Sequence, residues 1–274
     1  MELITSRRNP LVGRLRALHL PKGRREQGLV LLEGTHQLQE LLRLGLNPAE
    51  VVATPAWQAR HGDLITDLIN DLITASAWQI QPVSEEVLAA VATTDSPDGV
   101  VATLARDALP AAQGQGRFVL ALDQLQDPGN LGTLLRTALA SGVDEVWLGG
   151  GADPLQPKVL RASAGAALAL PLLRTADRSG LLPLLEGARS AGHQLVATVV
   201  DPQARPYWHL DWTQPTVLLM GNEGAGLHPE LAERATQRVT IPHSAAVESL
   251  NVAVAAAPLL LERCRQGLTR AAAP

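Results

Sequence analysis

Hydrophobic positions alternate between helical and strand spacing along the first half of the chain. Leu11, Leu15 and Leu18 recur at helical spacing and predict a first helix over 9–20, which Pro21 ends. The next predicted strands are 29–32, 51–53, 79–81 and 100–104, and the next predicted helices are 38–44, 64–73 and 85–91. Strands that alternate with helices in this way predict a small α/β domain.

A segment without hydrophobic periodicity follows. Residues 107–117 are rich in Gly, Pro and Gln, a composition that is typical of a linker. The sequence therefore predicts one domain over 1–106 and a second over 118–274. Two domains also fit the length of 274 residues, which exceeds that of one typical domain.

The second half again alternates strands with helices. The predicted strands are 118–122, 146–148, 194–200, 217–220 and 239–241, and the predicted helices are 131–141, 158–167, 181–191 and 249–265. This order predicts a doubly wound parallel sheet. In such a sheet a ligand binds at the carboxyl ends of the strands.

Composition narrows the class of protein. Hydrophobic residues make up 46% of the chain and charged residues 18%, which are values of a folded globular protein. No uncharged apolar stretch reaches the roughly 20 residues of a membrane span, and the N-terminus lacks the apolar core of a secretory signal. The single cysteine, Cys264, forms no internal disulfide, and the seven histidines lack metal-ligand spacing. We expect a soluble, cytoplasmic protein without a metal or a membrane partner.

Positive charge is concentrated in the first 26 residues, where seven basic and two acidic side chains give a net charge of +5. Because the whole chain carries −4, the remaining 248 residues carry −9. This asymmetry favours a polyanionic partner for the N-terminal segment, with Arg7, Arg8, Arg24 and Arg25 as candidate contacts. A solvated arginine-rich helix explains the charge equally well. The seven aromatic residues are too few to favour a base-stacking platform.

Polar, glycine-rich loops follow three predicted strands of the second half. In the first loop, 127–132, Asn130 occupies the position of a helix N-cap, and Arg136 follows on a largely apolar helix. The second loop, 221–227, has three glycines in six residues around Glu223, more than a plain tight turn needs.

The third loop, 241–251, leads into the last helix. Ser249 is a candidate cap of that helix, and Asn251 would then lie in its first turn. The free N–H groups at a helix start also attract a carboxylate or a phosphate, so a structural and a ligand-binding interpretation both stay open. Taken separately, none of the three loops indicates a function, whereas their order along the chain does.

The three loops resemble motifs 1, 2 and 3 of the SPOUT superfamily of RNA methyltransferases, in its SpoU/TrmH branch. The matching residues are Asp127-Pro128-Gly129-Asn130-Leu131-Gly132 with Arg136-Thr137-Ala138 in motif 1, Gly221-Asn222-Glu223-Gly224 with Gly226-Leu227 in motif 2, and Ile241-Pro242 with Ser249-Leu250-Asn251-Val252 in motif 3. The first half is more loosely similar to the substrate-binding domain of rRNA methyltransferases in this branch. That similarity rests on Ser6-Arg7-Arg8-Asn9-Pro10, Leu32-Glu33-Gly34 and Asp98-Gly99-Val100-Val101-Ala102.

The resemblance implies a trefoil-knotted α/β catalytic domain, a homodimer, and transfer of a methyl group from S-adenosylmethionine to a ribose 2′-hydroxyl of RNA. The additional N-terminal domain favours rRNA, and 23S rRNA in particular, over tRNA. Carried over by motif position, the cofactor-binding residues are Gly221, Ile241, Leu250, Thr198, Val199 and Met220. The residues around the reacting ribose are Asn130, Arg136, Glu223, Ser249 and Asn251.

Three alternatives compete with this interpretation. One is a tRNA 2′-O-methyltransferase, and another is a SPOUT-like module that binds RNA without catalysis, which the intact motif residues Asn130, Arg136 and Glu223 argue against. A nucleotide-dependent enzyme on an ordinary doubly wound sheet would need GxGxxG after a strand or GxxxxGK[ST], and neither is present.

The motifs leave the proton acceptor open and depart from the family pattern twice. The family's usual proposal makes the motif 1 arginine a general base, but a guanidinium pKa above about 12 makes its neutral form costly. We favour Arg136 as a stabiliser of phosphate and alkoxide charge. Ala245 stands where motif 3 usually has glycine, and Pro258 falls within the last predicted helix, where it predicts a kink.

Overall fold

The computed structural model describes residues 1–63, 80–201 and 203–271. The chain forms two compact units. The first unit comprises Met1–Leu109 and Leu155–Leu168, and the second comprises Pro110–Pro154 and Ala169–Pro274. The passage from one unit to the other at Leu109 falls within the predicted linker. The predicted helix over 64–73 lies outside the described residues.

The N-terminal elements alternate as the pattern predicts. The helices are α1 Pro10–Ala17, α2 Pro21–Gln27, α3 Thr35–Arg43, α4 Pro55–Arg60 and α5 Glu85–Val91, and the strands are β1 Leu29–Glu33, β2 Glu50–Ala53, β3 Ile80–Pro82 and β4 Val100–Ala105. The sheet has the order β1-β4-β2-β3, in which β4 is antiparallel to β1 and β2 while β2 and β3 are parallel. Helices α1 and α5 contact each other and contribute Leu15, Val87 and Leu88 to the core, which Leu18 joins from just after α1.

Pro21 starts a helix in the structure, whereas the sequence pattern predicts that it ends one. Helix α1 already ends at Ala17, and Leu18 is its C-cap. Pro21 is the first residue of α2, where the missing N–H has no intrahelical partner to lose and the fixed φ suits the helix. The arginine-rich segment is therefore two short helices joined by a turn.

The elements that follow residue 117 include a long series of strands. The strands are β5 Phe118–Asp123, β6 Glu145–Gly149, β7 Leu172–Thr175, β8 Gln194–Thr198, β9 Arg205–Pro206, β10 Thr216–Met220 and β11 Gln237–Thr240. The helices are α6 Pro128–Ala140, α7 Pro157–Ser163, α8 Ala166–Ala169, α9 Leu181–Ser190, α10 Pro229–Ala232 and α11 Val252–Ala271. Three 3-10 helices occur within the described residues, at Arg106–Ala108, Arg178–Gly180 and Tyr207–His209.

The second unit contains a seven-stranded sheet with the order β7-β6-β5-β10-β8-β11-β9. Every neighbouring pair is parallel, so the predicted parallel sheet is confirmed. β5 and β10 are neighbours, with Leu122 opposite Met220 at their carboxyl ends. The loops that follow these two strands therefore start side by side, although about a hundred residues separate them along the chain.

Several predicted helix boundaries in the second half are wrong. The pattern over 158–167 is two helices, because Ala164 and Gly165 adopt left-handed conformations with φ of 46° and 86° and end α7. Helix α7 contacts β1, and the segment that carries it belongs to the first unit, although the sequence prediction places it in the second domain. Strands β7 and β9 are not predicted by the sequence pattern.

The Glu145 carboxylate holds part of the predicted linker in place through hydrogen bonds. The backbone N–H groups of Gln113, Gly114 and Gln115 donate to Glu145 at 2.9–3.2 Å, and Trp147 Nε1 donates to it at 3.0 Å. Partial burial acts to raise the pKa of Glu145, but these hydrogen bonds outweigh it and hold the pKa below its ordinary value. Residues 113–115 of the predicted linker therefore donate their backbone N–H groups to the buried Glu145 carboxylate, which holds this part of the segment in place.

Candidate active site

The first two motif loops meet at the Glu223 carboxylate. It accepts hydrogen bonds from the backbone N–H groups of Gln126 at 3.2 Å and Asp127 at 3.0 Å, and from Asn130 Nδ2 at 3.3 Å. Partial burial acts to raise the pKa of Glu223, whereas these donors and its own backbone N–H lower it to below the ordinary value. The carboxylate thus stays ionised at neutral pH and joins motif 2 to motif 1.

Asn130 extends this contact to motif 3. Its Oδ1 accepts a hydrogen bond from Asn251 Nδ2 at 2.9 Å, while its own Nδ2 donates to Glu223. An asparagine is suited to this position because its side chain has a donor and an acceptor. Three of the five residues predicted around the ribose, Asn130, Glu223 and Asn251, therefore form one hydrogen-bonded chain across all three motifs.

The caps of the two helices at the site differ from the sequence prediction. Asp127, and not Asn130, caps α6, since its Oδ1 accepts from the Asn130 N–H at 2.7 Å. At the last helix, Asn251 Oδ1 accepts from the N–H groups of Ala253 at 2.9 Å and Val254 at 3.2 Å. Asn251 therefore occupies the capping position predicted for Ser249, and α11 begins at Val252.

The motif 2 loop is organised by its own backbone. Asn222 and Gly226 exchange two N–H to carbonyl hydrogen bonds of 3.1 Å, and Asn222 Oδ1 accepts from the N–H groups of Gly224 and Ala225. A Cβ on Gly221 would lie 1.9 Å from the backbone of Gly226, so no other residue fits there without moving the loop. The close approach explains why glycine stands at this position.

A cavity of about 530 Å³ lies against this loop at the carboxyl ends of β8, β10 and β11. Its lining includes all six residues predicted to hold the cofactor, namely Thr198, Val199, Met220, Gly221, Ile241 and Leu250. Apolar residues and glycines make up most of the lining, which suits a ligand with a flat heteroaromatic group. The glycine-rich loop 221–227 borders the same cavity, so the residues present fit a nucleoside cofactor.

The two other residues predicted around the ribose are less constrained. Ser249 lies in an exposed loop and lines the cavity. Arg136 lies on an exposed face of α6, and within the described ranges its side chain has no hydrogen bond or ion pair. The structure thus brings Ser249 to the cavity, and it leaves the guanidinium of Arg136 available to a ligand.

The sequence interpretation misses Asp123, the last residue of β5. Its side chain is 1% exposed and pairs with Arg178 Nε at 2.9 Å, while its Oδ2 accepts from the His228 N–H at 3.1 Å. Asp123 therefore fixes the end of the motif 2 loop against the strand that precedes motif 1. The sequence signal that could have identified Asp123 is its position as an acidic residue at the end of an otherwise apolar strand.

The four predicted RNA-contacting arginines do not share one environment. Arg7, Arg8 and Arg25 are exposed. Arg24 is only 2% exposed, and its Nη1 donates to the carbonyls of Leu18 at 2.7 Å and His19 at 2.9 Å. Its assignment as an RNA contact is therefore wrong, because its guanidinium is used to hold the turn between α1 and α2.

No helix in the described part of the chain is long and apolar enough to cross a membrane. Among the described residues, no three or more His, Cys, Asp or Glu side chains are grouped as metal ligands.

A parallel α/β sheet, with a largely apolar cavity at the carboxyl ends of its strands and polar side chains joined beside it, defines a cofactor-dependent enzyme. Residues 117–261 match the SpoU rRNA Methylase family, and residues 9–102 match the MRM3-like substrate binding domain. The chain belongs to the SpoU rRNA methylase family, which confirms the predicted resemblance.

Relatives and solved structures agree with this membership. An uncharacterized tRNA/rRNA methyltransferase of Synechocystis is 46% identical, with 96% of this chain and 93% of the relative covered. The 23S rRNA (guanosine(2553)-2′-O)-methyltransferase RlmP of Bacillus subtilis is 33% identical over 95% and 98% of the two chains. The AdoMet-bound rRNA methyltransferase of Sinorhizobium meliloti has a TM-score of 0.79 and 32% identity, covering 96% and 97%. S-adenosylmethionine is accordingly the cofactor of this methyltransferase.

Proposed function

We propose that this protein methylates a ribose 2′-hydroxyl of 23S rRNA, with S-adenosylmethionine as the methyl donor. The observation that carries the proposal is the hydrogen-bonded chain of Glu223, Asn130 and Asn251 beside the cofactor cavity. The protein is also similar over nearly its full length to a 23S rRNA 2′-O-methyltransferase, which supports 23S rRNA as its substrate. A tRNA substrate is the second candidate, because the similar Synechocystis protein is named a tRNA/rRNA methyltransferase.

The cofactor would be held by the cavity residues at the ends of β8, β10 and β11. Thr198, Met220, Gly221, Ile241 and Leu250 all line this cavity and would contact the cofactor there. When bound, S-adenosylmethionine supplies a reactive methyl group on a sulfonium. The protein's task is therefore to place the ribose hydroxyl in line with that methyl group and to provide a route for the hydroxyl proton.

We assign the polar groups beside the cavity to the ribose. The chain of Glu223, Asn130 and Asn251 would orient the sugar, and Ser249, which lines the cavity together with Glu223, would contact it as well. Arg136 would stabilise the negative charge of the attacking oxygen and of a neighbouring phosphate, since a guanidinium keeps its proton at neutral pH.

The remaining assignments concern assembly and RNA contact. Arg7, Arg8 and Arg25 are exposed on the N-terminal unit and would contact phosphate groups. From the family resemblance we also propose a homodimer, a trefoil knot in the catalytic domain and a cytoplasmic location.

Methyl transfer from labelled S-adenosylmethionine to RNA from cells that lack this protein tests the proposal. Alkaline hydrolysis then separates the products, because a methylated 2′-hydroxyl leaves an uncleaved dinucleotide. We expect label in such a dinucleotide from 23S rRNA and a turnover at least about 100-fold lower for Arg136→Ala, the usual effect of removing one charge-stabilising donor.

Other outcomes would change the proposal. Label in mononucleotides would mean base methylation, and label confined to tRNA would favour the second candidate. Cofactor binding without label on any RNA would favour a module that binds RNA without catalysis. If Arg136→Lys kept most of the turnover, the specific role of the guanidinium would be wrong.

A further inference from the structure

Three of the seven aromatic residues of the chain lie within six positions, namely Tyr207, Trp208 and Trp212. Tyr207 and Trp208 belong to the 3-10 helix Tyr207–His209 of the second unit, and Trp212 follows it. Trp212 is fully buried, whereas Trp208 is 44% exposed and is the only exposed tryptophan among the described residues. Tryptophan is enriched at binding surfaces, because one flat side chain supplies a large contact area.

The segment that carries Trp208 is fixed by hydrogen bonds. Trp212 Nε1 donates to the Tyr207 carbonyl at 2.8 Å, and Gln266 Nε2 of α11 donates to the Leu210 carbonyl at 2.9 Å. The ring of Trp208 also contacts that of Tyr207 edge to face, with the ring centroids 5.0 Å apart. Since the ring is already held in place, little conformational entropy would be lost when a flat ligand stacks on it.

The one polar atom of the Trp208 ring already has a partner. Its Nε1 donates to His209 Nε2 at 3.1 Å. The exposed part of the ring is therefore apolar aromatic surface, and a ligand need not supply a hydrogen-bond acceptor. Such a surface suits stacking by a flat heteroaromatic ring, and every nucleobase has one.

Unpaired positive charge lies on the same edge of the sheet. Arg205 in β9 and Arg238 in the neighbouring β11 are exposed, and neither side chain forms a hydrogen bond or an ion pair within the described part of the chain. Asp201, an acidic residue just before β9, accepts a hydrogen bond from the Gln203 N–H at 2.9 Å. Because residues 27–274 carry a net charge of −9, two unpaired arginines on one edge are a local exception that favours a polyanion.

This edge also holds part of the candidate cofactor cavity. β9 runs parallel to β11, with Pro206 opposite Thr240, so Tyr207 leaves the sheet at the same end as Ile241. Ile241 lines the cavity, as does Val200 from the segment between β8 and β9. The aromatic segment thus starts at the carboxyl ends of the strands, where the reacting ribose is proposed to bind.

We propose that Trp208 is a stacking site for an unpaired RNA base, with Arg205 and Arg238 as contacts for the adjoining phosphates. The inference rests on the proposed RNA substrate and adds to it a contact in the second unit, outside the three motif loops. Seven aromatic residues are too few for an extended stacking platform, whereas one exposed ring is enough to hold one base. Because stacking tolerates any base, the site selects single-stranded over paired RNA and not a sequence.

The stacking contact is tested with Trp208→Phe and Trp208→Leu in the full-length protein. Phenylalanine keeps a flat aromatic face, whereas leucine keeps apolar volume without one. Dissociation constants would be measured for oligoadenylate and for the same oligomer paired with oligouridylate. We expect Trp208→Leu to bind the single strand about tenfold more weakly and Trp208→Phe less than about threefold more weakly, with the duplex unaffected by either. Equal losses for the two variants, or none, would overturn the stacking contact.

The phosphate contact is tested by the salt dependence of oligoadenylate binding. Arg205→Gln would be compared with Arg189→Gln, which also removes one exposed charge from the second unit. Arg189 lies at the end of α9, just before β8 begins, and therefore near the opposite edge of the sheet. We expect Arg205→Gln to reduce the slope of log affinity against log salt by about 0.7, and Arg189→Gln to leave it unchanged. Equal slopes for the two variants would remove Arg205 from the site.

Failure of this inference is distinguishable from failure of the proposed function. S-adenosylmethionine binding, measured by calorimetry, should be unchanged in all four variants. If the wild type transfers no methyl group to rRNA, the proposed function fails. If it does so and Trp208→Leu binds oligoadenylate as the wild type does, only the stacking site is wrong. A smaller species of Trp208→Leu in sedimentation, with unchanged oligoadenylate binding, would instead assign the ring to a contact with a second copy of the chain.

Discussion

The motif 2 and motif 3 loops line the same cavity but are built in opposite ways. Residues 221–227 are held by reciprocal backbone hydrogen bonds, by the Asn222 side chain and by the contact of Glu223 with motif 1. Residues 242–249 are all exposed. The bonds found there are local, such as Ala246 N–H to Ser244 Oγ at 3.2 Å. The motif 2 side of the candidate cofactor cavity is therefore fixed by hydrogen bonds within the protein, whereas the motif 3 side is held by few contacts.

The largest effect should come from adding one methyl group to the organised loop. In Gly221→Ala the new Cβ would meet the backbone 1.9 Å away, and the loop would have to move. We expect S-adenosylmethionine affinity to fall by about 100-fold, near the upper end of the cost of overpacking. Gly224→Ala is the matched control, because its nearest contact would be Asn222 Oδ1 at 3.9 Å. Similar dissociation constants for the two variants, measured by calorimetry, would mean that the loop is not rigid.

Removing the charge of Asp123, which holds the end of the motif 2 loop, should have the next largest effect on stability and cofactor binding. Asp123→Asn removes the buried ion pair with Arg178 but keeps an acceptor for the His228 N–H. We expect the free energy of unfolding to fall by about 3 kcal/mol in denaturant titrations, together with weaker cofactor binding. Glu186→Gln, which removes an exposed ion pair with Arg189, should change stability little. Equal stability losses would contradict a special role for Asp123.

The contact between motifs 1 and 2 should depend on pH only in the acid range. Hydrogen bonds hold the pKa of Glu223 below its ordinary value, so the carboxylate stabilises the contact above the ordinary glutamate pKa. This stabilisation is lost as the pH falls through the lowered pKa. We expect S-adenosylmethionine affinity to stay constant from neutral pH down to about 5 and to decline below that. Glu223→Gln should bind more weakly at neutral pH and should lack the acid decline. A decline of equal size in the variant would assign the titration to another group.

The smallest effect should come from the exposed loop. Ala245→Gly restores the glycine that motif 3 usually has, and Ala245 is exposed in this structure. Since few contacts constrain this loop, we expect the dissociation constant of S-adenosylmethionine to change by less than about threefold, typical of a surface substitution. A gain in affinity of tenfold or more would show that Ala245 limits the geometry of the motif 3 loop. The motif 3 loop would then be as constrained as the motif 2 loop, although it has fewer hydrogen bonds.

Local sequence signals were reliable where they act over one turn. Glu85–Val91 agrees with the predicted helix, and its cap Ser84 accepts from the Val87 N–H as such a residue should. Local signals gave the wrong helix boundaries where one residue is compatible with two local conformations. Pro21 both ends and begins helices, and the pattern over 158–167 continues through Ala164, whose left-handed conformation divides it. The predicted kink at Pro258 stays a prediction, although α11 runs without interruption from Val252 to Ala271.

The sequence by itself determined most of the strands and helices and the three polar loops, and its family resemblance indicated the residues that line the candidate cofactor cavity. Only the tertiary structure decided which of these residues meet. Because β5 and β10 are neighbours in the sheet, Glu223 reaches the backbone of Asp127, 96 residues earlier in the chain. It also decided that Arg24 is buried while Arg16, within the same basic segment, is exposed. Charge and periodicity are properties of a few residues at a time, whereas burial and pairing depend on what the rest of the chain brings beside them.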